Sequence, residues 1–287
     1  MSLREVQDTA VVPGTGRTLA QLRHHYEVEK ALADRLKATR TPEERGRIFA
    51  NMYDELFAQV PDHPRLTVQH DPARERAQVQ SHLALLAPHL GSSVEYVEFG
   101  AGSCALTLEV ARHARRARAI EIADQVPASV ARPSNFSLVL YDGFHLDAPP
   151  GAVDLAFSNQ FVEHLHPADA LHHFETVFRM LRPGGRYILT TPQRWTGPHD
   201  VSRYFSDTPQ GFHLREWSYR ELVETTRQVG FEPVATWWTA RGRWVRLPVS
   251  TTLALESVVS RMNLGMRRRL GHRLLPLVVL GLRRPER

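Results

Sequence analysis

The stretch Val94-Glu95-Tyr96-Val97-Glu98-Phe99-Gly100-Ala101-Gly102-Ser103-Cys104-Ala105 has the pattern of a β-strand that runs into a glycine turn and then into a helix. Gly100 permits the turn, Gly102 lets a ligand approach the backbone, and Ala105 allows the helix to pack closely. A G-x-G-x-x-A turn after a strand is typical of nucleotide and nucleoside sites. By itself it does not distinguish a dinucleotide from another nucleoside.

Strand and helix patterns alternate from this turn onward. Alternation over about 100 residues indicates βαβ units, and therefore an α/β, Rossmann-like, doubly wound fold with a mostly parallel sheet. We predict seven strands, of which the last two form an antiparallel hairpin at one edge of the sheet. The predicted strands are Val94–Phe99, Arg118–Ile122, Ser137–Tyr141, Val153–Ser158, Gly185–Thr191, Glu232–Thr239 and Arg243–Leu247.

The first ninety residues instead have helical patterns. Thr41-Pro42-Glu43-Glu44 has the form of a capped helix start, and Asp71-Pro72 repeats the signal. We therefore expect a helical N-terminal extension or lid over residues 1–92, a ligand-binding domain over 93–250, and a C-terminal extension over 251–287.

Composition excludes several classes of protein. The chain has 287 residues, of which 42% are hydrophobic and 23% charged, as is ordinary for a folded domain. Its one cysteine rules out a disulfide scaffold and a zinc site made of paired thiolates. We see neither a signal peptide nor an uncharged run of about 18 apolar residues, so we expect a cytoplasmic protein.

Positive charge is concentrated at the C-terminus. The net charge is +5, but residues 240–287 hold eleven arginines and two glutamates, so the preceding residues sum to −4. Leu255, Val258, Met262 and Met266 form a helical stripe ahead of Arg267–Arg269. Such a basic amphipathic stretch could contact the inner face of a membrane, or it could pack on the body as a terminal helix.

Acidic residues near the glycine turn indicate which nucleoside could bind there. Glu121 ends the second predicted strand, where a carboxylate can accept both ribose hydroxyls, and this also fits NAD. Glu98 immediately precedes the turn, where it would repel a pyrophosphate but tolerate an ammonium or sulfonium group. Asp142 ends the third strand and could accept from an adenine amino group. These acids favour a cationic nucleoside.

Five motifs together resemble the class I S-adenosylmethionine-dependent methyltransferases, of the small-molecule type found in bacteria. The resemblance covers about half of the chain, from Val94 to Phe231. Its motifs are VEFGAGS at Val97–Ser103, AIEIAD at Ala119–Asp124, LYDGF at Leu140–Phe144, VDLAFSNQFVEHL at Val153–Leu165 and MLRPGGRYILTTP at Met180–Pro192.

The resemblance implies S-adenosylmethionine as the cofactor and assigns roles to individual residues. Gly100 and Gly102 would line its methionine part, Glu98 would support its amino group, Glu121 would hold the ribose, and Asn159 and Gln160 would lie under the sulfonium. Asp142 and the backbone of Gly143 and Phe144 would meet adenine. The complete predicted cofactor site is Glu98, Gly100, Ala101, Gly102, Glu121, Ile122, Asp142, Gly143, Phe144, Asn159 and Gln160.

The segment after the fifth strand offers groups for catalysis. An alcohol acceptor must lose its proton, and a histidine or carboxylate is the usual base. We predict His199 and His213 as base candidates and Asp200 as an orienting partner. The alternative is that these polar groups cap helices and hold the loop in place. We expect no metal, because His164, His166, His172 and His173 lack a supporting acidic or thiolate pattern.

Two absences narrow the acceptor. The fourth strand ends in Ser158-Asn159-Gln160-Phe161, whereas the resembling enzymes that methylate planar amino nitrogens have an Asn/Asp-Pro-Pro-aromatic box there. Cys104, the only thiol, lies in the cofactor turn and is not available for covalent attack on a pyrimidine ring. Methylation of adenine N6 or cytosine C5 is therefore not expected, and nucleic acid is an unfavoured partner. We predict O-methylation of a small molecule such as a sugar or natural product. An RNA or protein methyltransferase that docks through the arginine-rich tail, and a non-catalytic S-adenosylmethionine-binding partner protein, are the alternatives. The oligomeric state is not readable from the sequence.

Overall fold

One sheet organises the molecule. The structure is a computed structural model that describes residues 8–67, 71–141, 146, 149–240 and 242–286. The strands lie in the order β3-β2-β1-β4-β5-β8-β6-β7. They are β1 (Glu95–Phe99), β2 (Arg116–Glu121), β3 (Phe136–Leu140), β4 (Val153–Asn159), β5 (Leu181–Pro192), β6 (Glu232–Ala240), β7 (Arg243–Leu247) and β8 (Leu277–Arg283). This confirms the predicted α/β, Rossmann-like fold.

The first five strands are parallel, and their order reverses direction at β1. β1 pairs with β2 on one side and with β4 on the other, so the chain runs outward first to β3 and then to β5. In open α/β sheets, ligands bind in the crevice outside the carboxyl ends of the strands at such a reversal. The predicted glycine turn follows β1, and Asn159 ends β4, so both lie at this point.

The sheet has eight strands where the sequence predicted seven. The additional strand, β8, lies antiparallel between β5 and β6 and belongs to the segment interpreted as a basic amphipathic extension. Its apolar run Leu277–Leu282 is covered on both faces, as expected for an interior strand. At Gly281 an added Cβ would lie 2.6 Å from the Trp237 ring, so the missing side chain lets that indole pack across the strand.

Helices cover the sheet and extend N-terminal to it. They are α1 (Leu19–Lys37), α2 (Pro42–Gln59), α3 (Pro64–Thr67), α4 (Pro72–Leu86), α5 (Ala105–Val110), α6 (Ala170–Met180), α7 (Tyr219–Val229), α8 (Val249–Ser260) and α9 (Leu264–Leu274). The predicted capping box at Thr41 is present, with the Thr41 hydroxyl accepting from the Glu44 N–H. Asp71 caps α4 in the same way, through the Ala73 and Arg74 N–H groups.

The N-terminal helices pack on the segment that carries the predicted catalytic residues. Leu32 and Leu36 of α1 and Leu56 of α2 form one buried cluster with Phe212 and Leu214. Burial of these large apolar side chains contributes about 2 kcal/mol each, so α1 and α2 are firmly attached there. In the part of the chain that the structure describes, no helix has the length and apolar character needed to cross a membrane.

Candidate active site

The glycine turn has the backbone geometry that its sequence predicted. Gly100 has φ +66° and Gly102 φ +54°, both in the left-handed region that favours glycine. A Cβ at Gly100 would lie 2.6 Å from Cδ2 of Phe161, whereas no atom lies within 4 Å of the corresponding position at Gly102. The turn therefore packs against Phe161 at Gly100, whereas the space beside Gly102 is accessible to a ligand.

Glu121 holds the open side of this turn. At the end of β2, its Oε2 accepts from the Gly102 N–H at 3.0 Å and its Oε1 from the Ile122 N–H at 3.1 Å. The next side chain, Ile122, is apolar yet 51% exposed. A carboxylate with a free lone pair, an accessible backbone and an apolar surface suit a ribose and an adjoining base, so these residues fit a nucleoside cofactor.

Glu98 is buried below the glycine turn. It is 4% exposed and accepts from the Thr107 hydroxyl of α5 at 2.5 Å. Burial raises the pKa of Glu98 to about 8, so the group is mostly neutral at pH 7. Its predicted contact with the amino group of the cofactor stays a prediction.

The remaining predicted cofactor residues are only partly described. The Asn159 Oδ1 accepts from the Thr190 hydroxyl at 2.6 Å, which orients the amide at the carboxyl edge of the sheet. Gln160 follows with φ +51° and an exposed side chain. Ala101 lies half-buried within the turn. Asp142, Gly143 and Phe144 lie outside the described residues, so their predicted contacts with adenine stay predictions.

A cavity of about 410 Å³ lies between the N-terminal helices and the segment after β5. His199, Asp200 and His213, the three predicted catalytic residues, all line it. The structure therefore brings them together, although His199 and His213 are fourteen positions apart in the chain. The other lining groups that matter here are Arg17, His25, Glu29, Tyr53, His63, Arg65, His164, Arg203 and Tyr204.

Glu216 joins the two predicted base candidates. Its Oε1 accepts from His213 Nδ1 at 2.9 Å and from the His199 N–H at 2.6 Å, and its Oε2 accepts from His199 Nδ1 at 3.1 Å. Burial works to raise the pKa of Glu216, but the hydrogen bonds from both histidines hold it at about 2. The carboxylate is therefore ionised, and each histidine presents a protonated Nδ1 to it.

The two histidines differ in their second ring nitrogen. His199 Nε2 lies 3.0 Å from the Thr196 hydroxyl, so both of its nitrogens have partners within the protein. His213 uses only Nδ1 in this way. Burial works to lower the pKa of His213, but the hydrogen bond to Glu216 and the charges of Glu163 and Asp200 raise it by more. His213 is thus the better placed of the two as a base.

Asp200 does not have the orienting role that was predicted for it. Its carboxylate accepts from the Ser202 N–H at 2.9 Å and the Gly211 N–H at 3.1 Å, and so pins the loop. Asp200 caps the short 3₁₀ helix 201–204, whereas Glu216, three residues after His213, reaches both imidazoles. Asp200 still contributes its charge to the pKa of His213.

Glu163 and His164 complete the polar wall next to His213. His164 Nδ1 donates to the Phe212 carbonyl at 2.9 Å, and burial lowers its pKa to about 3, so Nε2 keeps a lone pair. Glu163 is fully buried; its Oε2 accepts from the Thr191 hydroxyl at 2.8 Å, and its Oε1 has no partner. Burial raises the pKa of Glu163 to about 7.

Two groups of side chains within the described ranges bring atoms that can bind metals within 4.8 Å of one another. They are His25, Glu29 and His63, and Glu163, His164 and His213. In the first group both nitrogens of His25 are used, since Nδ1 accepts from Arg17 at 2.9 Å and Nε2 donates to Glu29 at 2.8 Å. Among the described residues, the second group keeps one atom without a partner on each member, and its two histidines line the cavity.

The cavity lies within electrostatic reach of the cofactor crevice. Burial raises the pKa of Tyr53 on the cavity wall, and the charge of Glu121 adds to this rise. Glu163 and His164 lie four and five positions after Asn159, which ends β4.

The sequence interpretation missed Glu216, Glu163 and Glu29. Glu163 lay within a quoted motif, but nothing in the sequence shows that one of its oxygens is buried without a partner. Glu216 could have been suspected from its spacing of three from His213. Glu29 accepts from the Phe212 N–H at 2.7 Å across 183 positions of chain, a contact that no local pattern indicates.

A model of the methyltransferase domain family matches residues 97–189, from β1 to β5. This part of the chain is a class I S-adenosylmethionine-dependent methyltransferase domain. A curated protein of Mycolicibacterium smegmatis, named as a probable S-adenosylmethionine-dependent methyltransferase, is 38% identical over 91 residues. The match covers 30% of this chain and 32% of that protein, about a third of the relative's length.

Solved structures of methyltransferases share the fold of this domain. Phosphoethanolamine N-methyltransferase 1 of Haemonchus contortus has a TM-score of 0.55 and 18% identity, covering 86% of this chain and 50% of that one. The 1,6-didemethyltoxoflavin-N1-methyltransferase of Burkholderia thailandensis has a TM-score of 0.51 and 15% identity, covering 86% and 92%. Both hold S-adenosylhomocysteine. S-adenosylmethionine is the cofactor of the methyltransferase domain, as the sequence predicted.

Proposed function

We propose that the chain transfers a methyl group from S-adenosylmethionine to a hydroxyl of a small-molecule acceptor in the cavity between the N-terminal helices and the sheet edge. The observation that carries this proposal is the buried cluster of Glu163, His164 and His213, which presents free polar atoms beside the methyltransferase domain. Residues 1–92 would then act as the lid of the acceptor site.

On the cofactor side, we propose the contacts that the sequence predicted. Glu121 would bind the ribose hydroxyls, Gly100, Ala101 and Gly102 would line the methionine part, and Ile122 would pack against the base. The nitrogen of Gly102 is already held by Glu121, and nothing occupies the space beside that glycine. Asn159 and Gln160 remain the proposed floor under the sulfonium.

On the acceptor side, we propose His213 as the base. Because ionised Glu216 accepts a hydrogen bond from the Nδ1–H of His213, neutral His213 has its lone pair on Nε2. The Glu163 Oε1 needs a hydrogen-bond donor, since a buried carboxylate oxygen without one is costly. The reacting hydroxyl of the acceptor would donate its proton to His213 Nε2, and a second O–H or N–H group of the acceptor would donate to Glu163 Oε1.

The transfer needs few groups from the protein. S-adenosylmethionine supplies a methyl group that a sulfonium already makes electrophilic. The acceptor oxygen forms a bond to the methyl carbon as the carbon–sulfur bond breaks, the bonding pair stays on sulfur, and the hydroxyl proton moves to His213 Nε2. Glu216 stabilises the imidazolium that results, while the walls of the cavity orient the reactants. His199 would hold Glu216 in place.

Several finer predictions still await a test. The two N-methyltransferases of similar fold act on small molecules, which supports a small acceptor but leaves oxygen or nitrogen open. Peripheral contact of the tail with a membrane stays a prediction. Val258 and Met266 of the predicted stripe are exposed, whereas β8 is interior to the sheet and Arg268 pairs with Asp207 at 2.9 Å. A cytoplasmic location stays a prediction.

Titration calorimetry with S-adenosylmethionine and then with NAD tests the cofactor site. We expect micromolar binding of the first only, and at least tenfold weaker binding by Glu121→Ala, about 1.4 kcal/mol. Glu224→Ala, an exposed position on α7, is the matched control. Equal affinities of Glu121→Ala and wild type would show that the site is misplaced.

A screen of small-metabolite, lipid and nucleic-acid fractions with labelled cofactor then tests the activity. We expect labelling in the small-metabolite fraction and its loss in His213→Ala, while cofactor affinity stays at the wild-type value. Labelling of RNA or protein would instead favour the docking alternative. Cofactor binding without any labelled product would favour the non-catalytic partner.

A further inference from the structure

Two arginines on the cavity wall have no carboxylate partner within the described residues. The Arg65 guanidinium lies 5.3 Å from the centre of the Tyr53 ring, and that of Arg203 lies 4.7 Å from the Tyr204 ring and donates to its hydroxyl. Arg17, by contrast, donates to Asp62 at 2.8 Å. A guanidinium stacked on an aromatic ring keeps N–H donors at its edge for another acceptor.

The acids on the same wall are already used elsewhere. Glu29 accepts from the Phe212 N–H and from His25, and Asp200 accepts from the Ser202 and Gly211 N–H groups. An added Cβ at Gly211 would lie 2.3 Å from Glu29 Oε1 and 2.8 Å from Asp200 Oδ2, so both carboxylates are packed against that backbone. They are therefore turned toward the loop and are not paired with the two arginines.

The positive charge of Arg65 extends along the cavity. Burial is the main cause that lowers the pKa of His63 to about 4 and that of His164 to about 3, and the charge of Arg65 lowers both further. His63 is thus neutral, and its Nδ1 accepts from the Arg65 N–H at 3.1 Å, which leaves the proton on Nε2. This end of the cavity offers cations and N–H donors.

We propose that Arg65 and Arg203 bind an oxyanion of the acceptor, so that the substrate class is a small hydroxylated molecule with a phosphate or carboxylate group. The inference rests on the proposed function for the position of the reacting hydroxyl, at His213. Paired N–H donors of a guanidinium match the oxygens of either anion. A volume of about 410 Å³ is within the range of sites that bind small molecules.

Calorimetry with inorganic phosphate and, separately, with malonate in a chloride-free buffer measures this site without knowledge of the acceptor. The proteins are wild type, Arg65→Gln, Arg203→Gln and the double variant, with Arg261→Gln as the matched control. Arg261 is exposed after α8 and does not line the cavity. We expect the wild type and the control to bind one of the anions, and the double variant to bind it at least tenfold more weakly. Phosphate preferred over malonate would identify a phosphate ester, and the reverse a carboxylic acid.

Unchanged anion affinity in the double variant, equal losses in the control, or no anion binding by the wild type would each overturn the proposal. The affinity for S-adenosylmethionine, measured in the same samples, distinguishes failure of the anion site from failure of the proposed function. Wild-type cofactor affinity together with unchanged anion affinity in the double variant would remove the anion site and keep the methyltransferase. Anion binding without cofactor binding would keep the anion site and remove the proposed methyltransferase function.

Discussion

Replacing Glu216 by glutamine tests the centre of the acceptor site. The carboxylate is 3% exposed and takes hydrogen bonds from His199 and His213. Its pKa of about 2 lies below the ordinary value of 4.5, and each unit corresponds to about 1.4 kcal/mol. The ionised form therefore contributes about 3 kcal/mol to folding at pH 7.

The glutamine of Glu216→Gln has the size of the glutamate but accepts fewer hydrogen bonds. Glutamine can still accept from the His199 N–H, but it has one oxygen for three donors, and its NH₂ group opposes a histidine N–H. We expect the free energy of unfolding to fall by about 3 kcal/mol at pH 7. Because the pKa of Glu216 is lowered on folding, this contribution is present above pH 4.5 and disappears as the pH falls toward 2.

Urea unfolding at pH 7 and pH 4, together with an NMR titration of the histidine rings, measures both consequences. The stability difference between wild type and Glu216→Gln should shrink at the lower pH, and the pKa of His213 should fall because it loses its ionised partner. Glu224→Gln, on the exposed face of α7, should change neither quantity. A difference below about 0.5 kcal/mol at pH 7 with an unchanged His213 titration would refute the assigned network.

Three further results follow from particular contacts. Gly100→Ala should lower the free energy of unfolding by about 2–4 kcal/mol and abolish cofactor binding, because its Cβ would meet Phe161 at a left-handed φ. Gly102→Ala has only the backbone strain and should lower the free energy of unfolding by about 1 kcal/mol. Equal losses for the two variants in urea unfolding would contradict this. Turnover should fall as the pH drops below the raised pKa of His213, and a pH-independent rate would exclude His213 as the base. Glu163→Gln should move the midpoint of this fall in turnover to lower pH, because the charge of Glu163 helps to raise the pKa of His213. A chelator should leave the rate unchanged. Truncation after Pro276 should abolish cooperative unfolding monitored by circular dichroism, since β8 lies between β5 and β6, and a stable truncated protein would show that the strand is dispensable.

Local patterns determined the fold class and the cofactor turn. Strand and helix alternation depends on hydrophobic period, and the glycine turn depends on positive φ values at Gly100 and Gly102, so both can be predicted from neighbouring residues. The capping box predicted at Thr41 is equally local, and the structure has it. Histidines 199 and 213 could be proposed for the acceptor side because they follow the fifth strand.

The sequence could not supply contacts between distant segments. An apolar run flanked by arginines reads equally well as an amphipathic tail or as an interior strand, and only pairing of β8 with both β5 and β6 decides between them. The choice of Glu216 over Asp200 depended on which carboxylate the folded loop turns toward the imidazoles. The cavity exists only because α1 and α2 pack on Phe212, and charge partners such as Glu29 cross 183 residues to reach it. Periodicity and turns are properties of neighbours along the chain, whereas pairing, burial and proton position depend on what the fold brings together.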